Sequence, residues 1–155
     1  MIYPAILLAM LVTTPRESGC ECWWTLRRGD QFMRLDSPPP FGRVELERCR
    51  AVFTGRVVAL EPSPLNVRED VEAKVEVLRV WKGPSVSQVI PVTTAASPLG
   101  CGFPFQVGET YLFFIDEHFA TPVVRITRCS RTKAISEAAT EIKVLEELFG
   151  VSQGK

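Results

Sequence analysis

Five cysteines hold most of the chemistry this sequence could perform: Cys20, Cys22, Cys49, Cys101 and Cys129. The first two stand one residue apart in the stretch Cys20-Glu21-Cys22-Trp23-Trp24. Four uses compete for them: metal ligation, dithiol redox chemistry, lipid attachment and the anchoring of disulfides. A structural zinc site takes four ligands, ordinarily in C-x₂₋₄-C pairs. C-x-C is shorter than that, and neither Cys101 nor Cys129 has a cysteine near it in the chain, so the spacing disfavours zinc. The C-x-x-C of dithiol oxidoreductases is absent. A nucleophilic thiol needs a base close to it in space, and the sole histidine, His118, lies in a loop-like stretch, where a lone histidine is ordinarily just solvated. Disulfides remain. In an extended segment Cys20 and Cys22 face one side, about 6–7 Å apart at roughly 3.3 Å per residue, so a bridge between them would be strained. Each must find a partner elsewhere, and spacing alone leaves the pairing open. Bridges from this segment to the later cysteines would close loops of about 80–110 residues, each stabilising by roughly 4–5 kcal/mol on the chain-entropy account. The number of cysteines is odd, so one or more is unpaired, modified or intermolecular.

The elements that must position these thiols are mostly strands. Residues 51–61 are rich in β-branched side chains, with Phe53, Gly55, Val57 and Ala59 on one face and the glycine marking curvature or a close approach. Residues 71–81 alternate cleanly, with Val71, Ala73, Val75 and Val77 opposite Glu72, Lys74 and Glu76. The apolar phase slips over Leu78 to Val80, which reads as a bulge. Residues 88–94 form a third strand, with Pro91 placing it at an edge or bulge; 110–116 and 123–129 are a fourth and a fifth. Residues 25–50 read as irregular, apart from a helical turn over 44–49. In the tail, Ala138, Ile142, Leu145 and Phe149 fall at helical spacing, with Ser136 as N-cap and Gly150 as the stop. The expected fold is all-β: a five-stranded Greek-key barrel of OB type followed by an amphipathic α-helix. A β-sandwich is the rival, but it takes about seven strands.

Composition narrows the function. Lys plus Arg and Asp plus Glu are 18 each, so the formal net charge is zero and no basic field draws in nucleic acid. The apolar run over residues 2–12 reads as the core of an export signal, ended by Pro15-Arg16-Glu17-Ser18-Gly19. That divides the chain into a signal, 1–19, and one domain, 20–150; a short buried helix or strand is the other reading of the run. Export places the protein outside the cytoplasm, where cysteines oxidise. Glu17-Ser18-Gly19-Cys20 partly resembles a lipoprotein box, which would attach lipid to Cys20 and exclude it from a bridge. No nucleophile elbow, phosphate loop, paired-His motif or dinucleotide fingerprint occurs, so no enzyme and no cofactor are expected.

Taken together, Cys20-Glu21-Cys22, Ala51-Val52-Phe53-Thr54-Gly55-Arg56-Val57-Val58, the run from Val75 to Gly83, the run from Cys101 to Phe114 and Cys129-Ser130-Arg131-Thr132 resemble bacterial members of the tissue inhibitor of metalloproteinases family. These are netrin-like domains with an OB fold, and the resemblance spans residues 20–149. It implies that Cys20 pairs with Cys101 and Cys22 with Cys129. It also implies a mode of action. The α-amino group and carbonyl oxygen of an N-terminal Cys20 would chelate the catalytic zinc of a partner metalloprotease, so that the chain needs no metal of its own. An α-amino pKa near 7.7–8.0 makes deprotonation easy beside a metal. Glu21, Trp23 and Trp24 become candidate interface residues. Glu21 departs from the family pattern, which has a small hydroxyl residue there, and burying a carboxylate in an apolar pocket is costly. Cys49 is expected to be a buried free thiol. The alternative within the same fold is a non-inhibitory extracytoplasmic interaction domain or lipoprotein.

Overall fold

The computed structural model describes residues 20, 22, 24–28, 30–64, 70–83, 89–116 and 124–150. The expected export segment 1–19, Glu21, Trp23 and His118 lie outside the described residues. The chain is mostly β. A hairpin of β1 (Trp24–Arg28) and β2 (Gln31–Leu35) precedes α1 (Arg43–Arg48). Then come β3 (Cys49–Pro62), β4 (Asp70–Lys82), β5 (Val89–Ala95), β6 (Thr110–Asp116), β7 (Val124–Arg125), β8 (Lys133–Ala134) and α2 (Ala139–Phe149). The main sheet runs β7-β5-β4-β3-β6-β8. Every pairing is antiparallel except β5 with β7, which is parallel. Residues 124–134 therefore supply both outermost strands, one beside β5 and one beside β6. The sheet curls into a barrel-like form as a result.

Bulges supply the bend. Thr54 pairs with Arg79 and Gly55 with Val77, so Leu78 is the extra residue, where the apolar phase slips in the sequence. Val52 pairs with Lys82 and Phe53 with Val80, which leaves Trp81 extra as well. On β3 the extra residue is Val58: Val57 pairs with Val75 and Ala59 with Lys74. That bulge takes Ala59 out of phase, so it is only partly buried while Phe53 and Val57 are core residues.

Gly55 lies where β3, β4 and β6 crowd together. A Cβ there would fall 2.3 Å from Val75 Cγ1, 3.2 Å from the Glu76 carbonyl oxygen and 3.3 Å from Phe113 Cε2. In a strand, alanine in place of glycine ordinarily stabilises by about 0.5–1 kcal/mol. Gly55→Ala is expected to do the reverse, by about 3 kcal/mol, because the neighbours it meets are packed core and backbone. Thermal unfolding of the variant checks this; an unchanged or raised melting temperature contradicts the packing.

The sheet is covered on both faces. One face buries Phe53, Val57, Ala73, Val75, Val92, Phe105, Tyr111, Phe113, Ile115 and Ile126. The other buries Val52, Leu112 and Phe114 against Leu46 and Cys49 at α1 and against Ala138 and Leu145 at α2. This second layer explains why β6 is apolar throughout instead of alternating: Tyr111, Phe113 and Ile115 serve one core, Leu112 and Phe114 the other. Lys82 Nζ donates to the carbonyls of Leu46 and Glu47 at 2.8 and 3.1 Å, satisfying acceptors that α1 leaves open at its C-terminal end.

Three expectations are corrected. Residues 25–50 are not irregular before the helical turn: they hold the β1–β2 hairpin, while the turn itself is present as α1, ending at Arg48, with Cys49 beginning β3. Of the fifth strand, 123–129, Val123 lies outside the described residues, and among the described ones only Val124–Arg125 are ladder-paired. Beyond them Ile126 turns into the core, Thr127 makes an isolated bridge with Gly102, and the chain turns towards Cys129. Ser136 does not cap the last helix. It sits in a tight turn over Ile135–Glu137, and α2 starts after Ala138 with no side-chain cap.

Candidate functional site: the cysteine-anchored leading segment

The site is built from the strands outwards. Beyond β5, Pro98–Gly100 form one tight helical turn. Ser97 starts it, its hydroxyl accepting from the Leu99 N–H at 3.2 Å. Cys101 ends it in the left-handed region, φ 60° and ψ 26°, a conformation uncommon for a residue with a side chain. Backbone bonds hold it there. The Cys101 N–H donates to the Pro98 carbonyl at 3.1 Å, and the Cys101 carbonyl accepts from the Arg128 N–H at 2.9 Å. Gly102 follows because nothing larger fits: a Cβ would sit 2.0 Å from the Ala95 carbonyl oxygen. Phe103 and Phe105 then anchor the segment in the core, 4.6 Å apart, with Phe105 stacked 5.7 Å from Phe113. The Cys-Gly-Phe-Pro-Phe stretch is thus a clamp that fixes where the Cys101 thiol points.

Cys129 reaches the same place from the other direction. The bridge between Gly102 and Thr127 joins the two segments, and Arg128 Nε adds a bond to the Gly102 carbonyl at 3.1 Å. The Cys129 N–H donates to Thr127 Oγ1 at 3.2 Å. Cys101 and Cys129 are therefore neighbours through hydrogen bonds that do not involve their sulfurs.

The leading segment is tied to this pair. Cys20 is bonded to Cys101 and Cys22 to Cys129, with Cα separations of 5.0 and 5.1 Å. The two bridges lie side by side, with Cys20 Sγ 3.6 Å from Cys129 Sγ. Disulfides of this kind are compatible with a location outside the cytoplasm. Among the described residues, no helix is long and apolar enough to cross a membrane.

Around the bridges the surface is mixed. Trp24 is half-buried at the start of β1, paired with Leu35. Leu99, at the crest of the turn into Cys101, is 70% exposed. Sequence reasoning passed over Leu99; the signal was a large aliphatic residue in a Ser-Pro-Leu-Gly turn, where a polar residue is the ordinary choice.

Cys49 is a free thiol, buried at the junction of α1 and β3, where its Sγ donates to the Glu45 carbonyl at 3.3 Å. It is away from the four-cysteine cluster in sequence and in packing, in the core layer under α1 and α2. Burial pushes its pKa up to about 11, and the nearby Asp116 carboxylate adds to the effect. The sign of the pH dependence follows. The unfolded thiol ionises near 9, while the folded one keeps its proton to about 11. The folded state therefore holds more protons in this window, and the contribution of Cys49 to stability falls as pH rises through it. Iodoacetamide at pH 8 is expected to leave Cys49 unmodified in the folded protein and to label it fully in denaturant. Rapid labelling of the folded chain contradicts the burial.

Comparison with models of known protein families gives no match, and comparison with curated proteins gives no significant relative. The functional reading therefore rests on the site itself.

Proposed function

We propose that this is a secreted, netrin-like protein of OB type, resembling tissue inhibitors of metalloproteinases, that acts by presenting the α-amino group of Cys20 to the zinc of a partner protease. The observation that carries the proposal is the pair of bridges that fasten the Cys20–Cys22 segment beside the Cys101 turn. A terminus tied down two residues apart loses little freedom on binding, which is what a short chelating plug requires. The amine and carbonyl oxygen of one residue close a five-membered ring on the metal and displace its bound water. The exposed Leu99, two residues before the Cys101 that Cys20 is bonded to, offers an apolar contact to the protease rim. The strand order supports the OB assignment: a three-strand meander, β3-β4-β5, with residues 124–134 lying along both outer edges.

A chain cleaved before Cys20, titrated against a panel of zinc endopeptidases, is expected to inhibit one class at a one-to-one ratio. Absence of inhibition at micromolar concentration across the panel contradicts the proposal. Glu21 favours a second reading, a non-inhibitory interaction domain of the same fold, because its carboxylate opposes an apolar specificity pocket. In that case Glu21→Thr gains no inhibition; in the first, it tightens it. A thioether-linked lipid on Cys20 would rule out both the bridge to Cys101 and the chelating amine.

A further inference from the structure

We propose that the four cysteines that fasten the leading segment, once reduced, form a tetrahedral thiolate site for a single Zn²⁺ ion. The spacing in the sequence argues against zinc because Cys101 and Cys129 have no near partners along the chain. The fold supplies those partners. The sulfurs of Cys20, Cys101 and Cys129 all lie within 4.8 Å of one another; Cys22 is not one of that trio and is joined to it through its bond to Cys129. Four thiolates about 2.3 Å from a zinc ion are separated by about 3.8 Å along each tetrahedral edge. The non-bonded contact between Cys20 and Cys129, 3.6 Å, already has that length. The other edges form when the two bonded pairs move apart by side-chain rotation.

Half of the site survives reduction. Cys101 and Cys129 are held together by the Gly102–Thr127 bridge and by the two bonds from Arg128 to Cys101 and Gly102. None of these involves sulfur. Cys20 and Cys22 then close on the ion as a C-x-C arm. Two equivalents of a dithiol deliver four electrons and four protons, each dithiol leaving as a cyclic disulfide, and two S–S bonds become four thiols. Zinc binding releases those four protons and leaves a centre of net charge −2. The guanidinium of Arg128, adjacent to Cys129 in the chain, is the cation closest to it in sequence. Oxidation and metal binding are thus alternative ways to close the same site: bridges where the surroundings are oxidising, zinc where thiols stay reduced. This inference does not depend on inhibition of any protease.

The test uses the full chain with Cys49→Ala, so that only four thiols remain, reduced by a phosphine and titrated with Co²⁺ and then Zn²⁺. The expected result is the intense visible absorption of a tetrahedral cobalt tetrathiolate at one equivalent, bleached by zinc. Alkylation of all four thiols is suppressed until a chelator is added. Adding Cys101→Ser to that background weakens cobalt binding by more than about 100-fold, beyond the usual cost of losing a group that only orients a ligand. If the reduced chain has lost its sheet, zinc restores the far-ultraviolet signal of strands. The weak spectrum of octahedral cobalt overturns the proposal. So do thiols that react equally fast with and without zinc, an affinity unchanged in Cys101→Ser, or a reduced chain that zinc does not refold.

Discussion

A chain carrying Cys22→Ser and Cys129→Ser together is expected to lose about 3–4 kcal/mol of stability. It should melt roughly 7–15 °C lower than the parent, given the usual dependence of melting temperature on stability at this size. The reason is the length of chain the bridge closes. With Cys20 already joined to Cys101, this second bridge closes a circuit of about 30 residues, 20–22 and 101–129, and removes that much of the unfolded chain's freedom. Both partners are replaced so that no orphan thiol is left beside the Cys20–Cys101 bridge to exchange with it. The loss should concentrate at the leading end. The β1–β2 hairpin is a separate two-stranded sheet, and such a hairpin is marginal by itself in water. Hydrogen exchange of the variant should therefore show β1 and β2 unprotected while β3, β4 and β6 remain slow. A melting temperature unchanged by the double substitution contradicts the anchoring role.

The second large effect concerns the amine. If the proposed chelation holds, acetylating the α-amino group of a chain that begins at Cys20 is expected to raise the inhibition constant for a susceptible zinc protease by at least about 100-fold, or about 2.7 kcal/mol. The acetyl group turns a basic nitrogen ligand into an amide and adds bulk at the metal, while both bridges and the rest of the surface stay as they were. A single residue added before Cys20 should have an effect of the same order. Inhibition that survives either change contradicts chelation and moves the binding energy to the flanking surface around Leu99.

The central strands were legible because their side chains face different surroundings on a short, regular period. The alternation of 71–77 and the slip at Leu78 translate directly into β4 and its bulge, and Gly55 marks a close approach. The β1–β2 hairpin was not read because its residues mix apolar and charged types without alternation. A signal did exist: Gly29-Asp30 is a two-residue connection of a kind common in hairpins, and the structure pairs Arg28 with Gln31 across it. The last strand was over-extended because Val-Val-Arg-Ile-Thr-Arg has strong strand propensity. Propensity says nothing of the tertiary pull that turns Ile126 into the core and Cys129 towards Cys22. The cysteine cluster was the least legible feature. Its members come from positions 20, 22, 101 and 129, and only the curl of the sheet brings the last two together. Spacing along the chain cannot express that, which is why the residues alone left the pairing open.

The account stands on a leading segment that is free at its amine and locked at its two sulfurs. Intact mass and unreduced peptide mapping of the protein recovered from a secreting host test this together. The expected product begins at Cys20, carries no acyl group, has lost four hydrogens to two bridges, and yields disulfide-linked peptides joining 20 to 101 and 22 to 129. It also takes up one alkyl group in denaturant, on Cys49. An N-terminus elsewhere, a lipid on Cys20, or five alkylatable thiols contradicts the account.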